Sequence, residues 1–317
     1  LLLESIAGKA MKHCVTLDDF SGEELLHIVQ LALRLKREPQ SFEGILKGRW
    51  LLMLFQKTST RTRMSFEIGM GRLGGRAIVM DWDSSNFSIS PIEYEARYAS
   101  THTDLIMARL KLHRDTRSLA DSSQVPVING CDDKYHPCQG LADLLTVYEQ
   151  NGSFAGQAVA YVGIHNNVAN SLTCGLSKVG ARTILVTPET NAAAEDPELM
   201  ERALATGLVE RTLNLRDAAE RATFVYTDTW VDMEFFEEPS YQAEKERRIA
   251  QMGPYQLNRE NLAGSDAYIM HDMPIHPGYE ITKEVVASPR SVIFRQAENR
   301  MYAQQALMLY LLGISEG

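Results

Sequence analysis

A short apolar run, Trp50 to Phe55, opens through Gln56-Lys57-Thr58 into Ser59-Thr60-Arg61-Thr62-Arg63, and an amphipathic stretch continues from Met64 to Leu73. This order of buried strand, hydroxyl-rich loop and helix restricts the fold to one that presents a helix N-terminus beside a strand end. Free backbone N–H groups, the positive end of the helix dipole and a planar guanidinium converge there, which makes the loop a site for a phosphate dianion. Helix capping accounts for one hydroxyl. It does not account for three hydroxyls and two arginines placed two positions apart.

The rest of the first half repeats the alternation. Ser21 with Glu24 forms a capping box that opens an apolar-periodic helix to about Arg37. Further short apolar runs predict strands at Ala77 to Met80, Leu105 to Leu110 and Val125 to Asn129, with a polar loop, Asp81-Trp82-Asp83-Ser84-Ser85-Asn86, after the first of these. Leu141 to Glu149 reads as a helix leaving this region, and Asn151-Gly152-Ser153 as the joint. A second set of strands is expected at Ala158 to Val162, Thr183 to Val186, Phe224 to Thr227 and Ala267 to Met270, with a final long helix from about Ala297 to Leu312. The pattern is that of an α/β protein with two domains, each a parallel sheet flanked by helices. The expected domains are 1–150, joined by the C-terminal helix 297–317, and 151–296.

With 317 residues the chain exceeds one ordinary core, and its hydrophobic fraction of 44% is that of a globular protein. A net charge of −9 argues against a nucleic-acid surface, so an anion site on this chain has to be local. No apolar run approaches the roughly 20 residues that cross a bilayer. The Leu1-Leu2-Leu3 start is too short and too poor in flanking positive charge for a signal peptide. Cys14, Cys131, Cys138 and Cys174 show no CxxC spacing, so neither zinc nor a disulfide framework is indicated, and a reducing cytoplasm fits. Tyr161-Val162-Gly163-Ile164-His165-Asn166-Asn167 ends a strand and precedes a helix, but it lacks the second and third glycines of a dinucleotide fingerprint. Asn166 and Asn167 are instead hydrogen-bonding candidates at the carboxyl edge of a sheet.

Other polar groups stand where strands or helices end: Arg109, His136-Pro137-Cys138-Gln139, Asp228, His271-Asp272-Met273-Pro274, and Arg300 near the start of the last helix. Singly, each has an ordinary reading as a turn, a cap or a surface pair. Taken with the Ser59 loop, they resemble the aspartate/ornithine carbamoyltransferase family, most closely its ornithine branch. Phe55 to Arg63, Arg109, His136 to Gln139, Asn166 to Leu172, Asp228 to Trp230, Pro254-Tyr255-Gln256 and Ala297-Glu298-Asn299-Arg300 carry the resemblance.

The resemblance implies that Ser59, Thr60, Arg61 and Thr62 hold the phosphate of carbamoyl phosphate, with Arg109 and Arg300 adding positive charge. It implies that Arg109, His136 and Thr62 point at the carbamoyl oxygen, that Gln139 accepts from the carbamoyl NH2, and that Met273 also contributes to donor binding. Asn167, Asp228, Asp232, Met233 and Asp272 would bind the amine. Arg61, Arg109, His136 and Asp272 would be the catalytic groups. Phosphate leaves directly, so neither metal nor cofactor is expected. The implied partners are carbamoyl phosphate, an amine such as ornithine, and further copies of the chain in a homotrimer or a multiple of it, with no nucleic acid and no membrane.

The chain departs from the family at the amine end. Where ornithine enzymes read Asp-x-x-x-Ser-Met-Gly, this chain has Asp228-Thr229-Trp230-Val231-Asp232-Met233-Glu234, and the family's His-Cys-Leu-Pro has become His271-Asp272-Met273-Pro274. Added carboxylates favour a cationic acceptor and disfavour an acceptor carboxylate nearby. Two readings stand: an acceptor other than ornithine, or ornithine with Asp232 and Glu234 turned to solvent. Asp272 either takes the amine's proton or pairs with an arginine as a structural group. Trp82 is expected to pack rather than to close over a substrate.

Overall fold

In the computed structural model the described residues are 11–231 and 238–314. Asp232, Met233 and Glu234 therefore lie outside the described residues. The chain divides into two compact units, Leu1–Leu145 with Asn299–Gly317, and Thr146–Glu298.

The first unit contains α1 (Gly22–Arg37), β1 (Trp50–Phe55), α2 (Thr60–Arg72), β2 (Arg76–Asp81), α3 (Ile92–Ser100), β3 (Leu105–Arg109), α4 (His113–Ser122) and β4 (Val127–Asn129). Its sheet is wholly parallel in the order β2-β1-β3-β4. The capping box at Ser21 is present, with Ser21 Oγ accepting from the Glu24 N–H at 3.2 Å and Glu24 answering the Ser21 N–H at 2.8 Å. Because β1 connects outward to β2 while β3 lies on its other side, the connections reverse between β1 and β3. The loops after these two strands flank the kind of crevice in which open sheets bind ligands. The Gln56 N–H donates to the Arg109 carbonyl at 2.9 Å across that reversal, so the Ser59 loop and Arg109 leave the sheet tied together.

Helix α5 (Pro137–Asn151) crosses the division between the units. It begins four residues ahead of the apolar stretch that predicted it, because Pro137 supplies a helical φ at a position whose N–H has no intrahelical partner. Cys138 and Gln139 consequently stand in its first turn.

The second unit continues with β5 (Ala158–His165), α6 (Asn167–Lys178), β6 (Arg182–Thr190), α7 (Pro197–Ala205), β7 (Val209–Arg211), α8 (Leu215–Arg221), β8 (Phe224–Thr227), α9 (Gln242–Met252), β9 (Tyr268–His271) and α10 (Lys283–Val286). The sheet is parallel, in the order β7-β6-β5-β8-β9, and its reversal lies between β5 and β8. Strand β5 is buried along its whole length and outruns the predicted strand by reaching His165. Sequence reading also missed β7, a three-residue strand at the sheet edge with only Val209 buried, too short for a periodic signal.

The last helix, α11 (Ile293–Leu311), starts earlier than Ala297. Arg300 therefore lies in its interior rather than near its start, and from Asn299 onward the helix belongs to the first unit. Among the described residues no helix is long and apolar enough to cross a membrane.

Candidate active site

Ser59 caps α2, its Oγ accepting from the Thr62 N–H at 3.3 Å, which places Thr60, Arg61 and Thr62 in the first turn of the helix. Thr62 is fully buried and its Oγ1 accepts from an Arg300 guanidinium N–H at 3.0 Å. The same nitrogen lies 3.5 Å from His136 Nε2. An arginine can only donate, so this contact calls for a lone pair on the ring, as in neutral imidazole. Burial, and then the charges of Arg300, Arg109 and Arg61, drive the His136 pKa well below its ordinary 6.5.

Three of the residues singled out in the sequence, Arg61, Arg109 and Arg300, thus act on a fourth, His136. Arg63 is not among them: it is exposed and pairs with Glu67 at 3.3 Å along the helix surface. Arg109 Nε, a donor, and Gln139 Oε1, an acceptor, are buried without hydrogen-bond partners among the described residues. Gln139 Nε2 donates to Asp143 Oδ1 at 2.8 Å. Since a carboxylate has only acceptors, that bond fixes which end of the Gln139 amide is the oxygen. A cluster of guanidiniums with an open donor and an open acceptor suits a ligand that carries both an anionic group and an amide.

The second unit assembles a different chemistry at the reversal of its sheet. Asn166 caps α6, with Oδ1 accepting from Val168 N–H and Ala169 N–H, while its Nδ2 donates to Asp228 Oδ2 at 2.6 Å. Thr229 N–H donates to the other oxygen of Asp228, also at 2.6 Å. One oxygen or nitrogen each of Asp228, His271 and Asp272 falls within 4.8 Å of the others. Burial, followed by the charge and hydrogen bond of Asp272, raises the Asp228 pKa well above the usual carboxylate range, with His271 and Asn166 opposing. Two acids here share a proton more readily than both ionise.

Next to them, His271 Nε2 contacts Glu280 Oε1 at 3.0 Å and its Nδ1 lies 3.5 Å from Asp272 Oδ1. Burial alone would lower the His271 pKa, but hydrogen bonds to Asp272 and Glu280 outweigh it and bring the value to about 9. The Met273 N–H, however, is aimed at Nδ1 at 2.9 Å and needs a lone pair there. The arrangement drawn by these contacts is the neutral ring donating to Glu280. A second proton can settle on Nδ1 only if Met273 N–H gives way to Asp272. Met273 itself has φ +65, a conformation side-chain-bearing residues rarely adopt, and packs against the core of the second unit. Asn167 is the half-buried first residue of α6.

The thiols of Cys14, Cys131 and Cys138 take no ionised part in either cluster. Burial pushes Cys138 up to about 12 and raises Cys14 and Cys131 as well. Trp82 packs on Phe87 with ring centroids 5.6 Å apart, against the core of its own unit.

A family model described as the carbamoyl-phosphate-binding domain of aspartate/ornithine carbamoyltransferase matches residues 12–149, and one described as the Asp/Orn-binding domain matches residues 155–311. The chain belongs to the aspartate/ornithine carbamoyltransferase family. It is 39% identical over 311 residues to an ornithine carbamoyltransferase of Archaeoglobus fulgidus, covering 96% of this chain and 98% of that one. A protein named ornithine carbamoyltransferase, catabolic, from Halobacterium salinarum is 38% identical, with 94% and 98% covered. The solved ornithine carbamoyltransferase of Pyrococcus furiosus superposes with a TM-score of 0.87 at 36% identity, over 96% of this chain and 98% of that chain.

Within this carbamoyltransferase frame, the residues that sequence reading missed are the ones that hold others in place. Asp143 was legible in principle, as it stands one helical turn beyond Gln139. Glu280 had no such signal, since it reaches His271 from an irregular segment nine positions away. Asn166 couples capping to the site, so Asn166→Ala is expected to lower stability by about 1–2 kcal/mol in urea denaturation, from the lost cap and the unmet Asp228 oxygen. An unchanged midpoint would show that water replaces both contacts.

Proposed function

We propose that the chain transfers the carbamoyl group of carbamoyl phosphate to the side-chain amine of L-ornithine, giving citrulline and phosphate. The observation that carries this reading is the buried, neutral His136 set among Arg61, Arg109 and Arg300 where Ser59 caps α2. In this reading Ser59, Thr60, Arg61 and Thr62 take the phosphate, with Arg300 adding charge. Arg109, His136 and Thr62 donate to the carbamoyl oxygen. Gln139 Oε1 accepts from the carbamoyl NH2, while Asp143 keeps that amide from turning.

As the amine nitrogen bonds to the carbamoyl carbon, the carbonyl oxygen gains negative charge and preorganised donors stabilise it; collapse breaks the carbon–oxygen bond to phosphate. The amine arrives as an ammonium and has no lone pair until it loses a proton. Asp228 hydrogen-bonds the amine, and Asp272, next to His271 and Glu280, attracts the cation and accepts its proton. Asn167 belongs to the same acceptor set, as do Asp232 and Met233. Met273 serves the donor through the loop it occupies. The assembly is a homotrimer or a multiple of it, working in the cytoplasm on small molecules.

Asp272, standing where the ornithine branch has cysteine, favours a second reading, in which the acceptor is an amine without a nearby carboxylate. Phosphate release from carbamoyl phosphate, measured with ornithine, acetylornithine, lysine, putrescine, agmatine and aspartate and with product masses confirmed, separates the two. We expect ornithine to give the highest kcat/KM. Preference for putrescine or agmatine would replace ornithine in this reading, and silence with all six would remove the activity.

A further inference from the structure

The segment between β4 and α5 ends in His136, and its shape is held by one carboxylate. Asp132 is fully buried. Its Oδ1 accepts from the Lys134 and Tyr135 N–H groups at 2.9 and 2.7 Å, and its Oδ2 accepts from Asn129 Nδ2 at 2.8 Å and meets His113 Nδ1 at 2.8 Å. Its own N–H donates to the Tyr135 carbonyl at 3.0 Å. Asn129, also fully buried, closes the other half of the loop: Oδ1 accepts from the Cys131 N–H at 2.9 Å, and Nδ2 donates to the Val15 carbonyl at 2.9 Å. Between them Cys131 is held at φ +144, where a residue with a side chain is strained.

The same loop also presses on Arg109. A Cβ at Gly130 would stand 2.5 Å from Met107 Sδ and 3.5 Å from Arg109 Cβ, and the Gly130 carbonyl accepts from an Arg109 guanidinium N–H at 3.4 Å. Asp132 therefore stands at the centre of a loop that touches Arg109 at one end and delivers His136 at the other. Strain at Cys131 persists only because the Asn129 and Asp132 bonds over-determine the loop.

We infer that Asp132 is a positioning residue for carbamoyl transfer, and that with Asn129 it sets the spacing between Arg109 and His136, two of the three donors assigned to the carbamoyl oxygen. The inference rests on the proposed transfer reaction. It assigns Asp132 no contact with substrate. An amide at this position places an NH2 against donors on whichever side it turns, so Asp132→Asn keeps the volume and breaks the clamp.

The test compares Asp132→Asn with the wild-type chain in full length. We expect kcat to fall about 100-fold, the scale set by loss of an aligned oxyanion donor, while the Kd for inorganic phosphate stays within about threefold because the Ser59 loop is untouched. Adding Cys131→Gly to Asp132→Asn is expected to recover about tenfold, since glycine holds φ +144 without strain. Independently of turnover, the ring NMR signals of His136 should move in Asp132→Asn while those of His165, in the second unit, stay in place. A kcat near wild type with an unmoved His136 signal overturns the inference. So does a kcat loss matched by equal loss of phosphate affinity and not relieved by Cys131→Gly, which would make Asp132 a general folding residue. Failure of the wild-type chain to release phosphate with any amine would sink the reaction instead, and the His136 signal would still decide the clamp.

Discussion

Replacing His136 with alanine is expected to lower kcat by about 100- to 1000-fold, or about 3–4 kcal/mol of transition-state stabilisation, with the KM for carbamoyl phosphate changed much less. The expectation follows from where the ring stands. Burial first, and then the charges of Arg300, Arg109 and Arg61, lower its pKa, so the ring is neutral and serves as a hydrogen-bond donor rather than as an acid. A donor aimed at an oxygen that becomes negative contributes little to the bound ground state and much to the transition state. His136→Gln, which retains a donor, should recover part of the loss. Equal effects on kcat and on donor binding would place the ring on the phosphate instead.

The same residue makes a pH prediction with a definite sign. The ring is neutral in the folded chain well below 6.5, whereas in the unfolded chain it takes up a proton near 6.5. Below that pH the unfolded state binds more protons, so the stability associated with this burial is fully present above about 6.5 and declines as the pH falls. Stability curves of wild type and His136→Ala measured from pH 7.5 to 5.5 should therefore converge toward the acid side. Parallel curves would mean that the ring is solvated.

Asp272→Asn is the second large effect: kcat with saturating amine should fall about 100-fold, the lower range for loss of a positioned acid–base group. The amide preserves size and hydrogen-bonding reach but cannot take a proton from an ammonium. After burial, the charge and hydrogen bond of Asp272 are the next causes that raise the Asp228 pKa, so the Asp228 acid should ionise more readily in the variant. Asp272→Cys, which restores the residue of the ornithine branch, should keep more turnover with ornithine than the asparagine variant does. Turnover of Asp272→Asn equal to wild type at saturating amine would leave Asp272 with a structural role.

Much of this protein is written in local sequence. The apolar runs at Trp50–Phe55 and Phe224–Thr227 appear as strands with those same bounds, because a fully buried parallel strand needs only a short apolar run with polar residues after it. The Ser21 box and the Ser59 cap were legible for the same reason, as each is satisfied within three or four residues. Where bounds slipped, a residue read for its neighbours decided them: Pro137 began its helix early, and β7 was too short to carry a period.

The chemistry of the donor loop was likewise evident from Ser59, Thr60, Arg61 and Thr62, since hydroxyls and a guanidinium at a helix N-terminus suit an oxyanion in any fold. What no local pattern contains is the partner brought from far along the chain. Arg300 reaches Thr62 across 238 positions, Asn166 reaches Asp228 across 62, and both contacts exist because parallel sheets place the ends of non-consecutive strands and a returning helix side by side. Ionisation was decided the same way: burial, and then the charges that the fold sets around them, lower the His136 pKa and raise that of Asp228. Sequence by itself determined which elements form and which groups are available. Tertiary structure alone decided which of those groups meet, because hydrogen bonding and desolvation act over a few ångströms of space, whatever the distance along the chain.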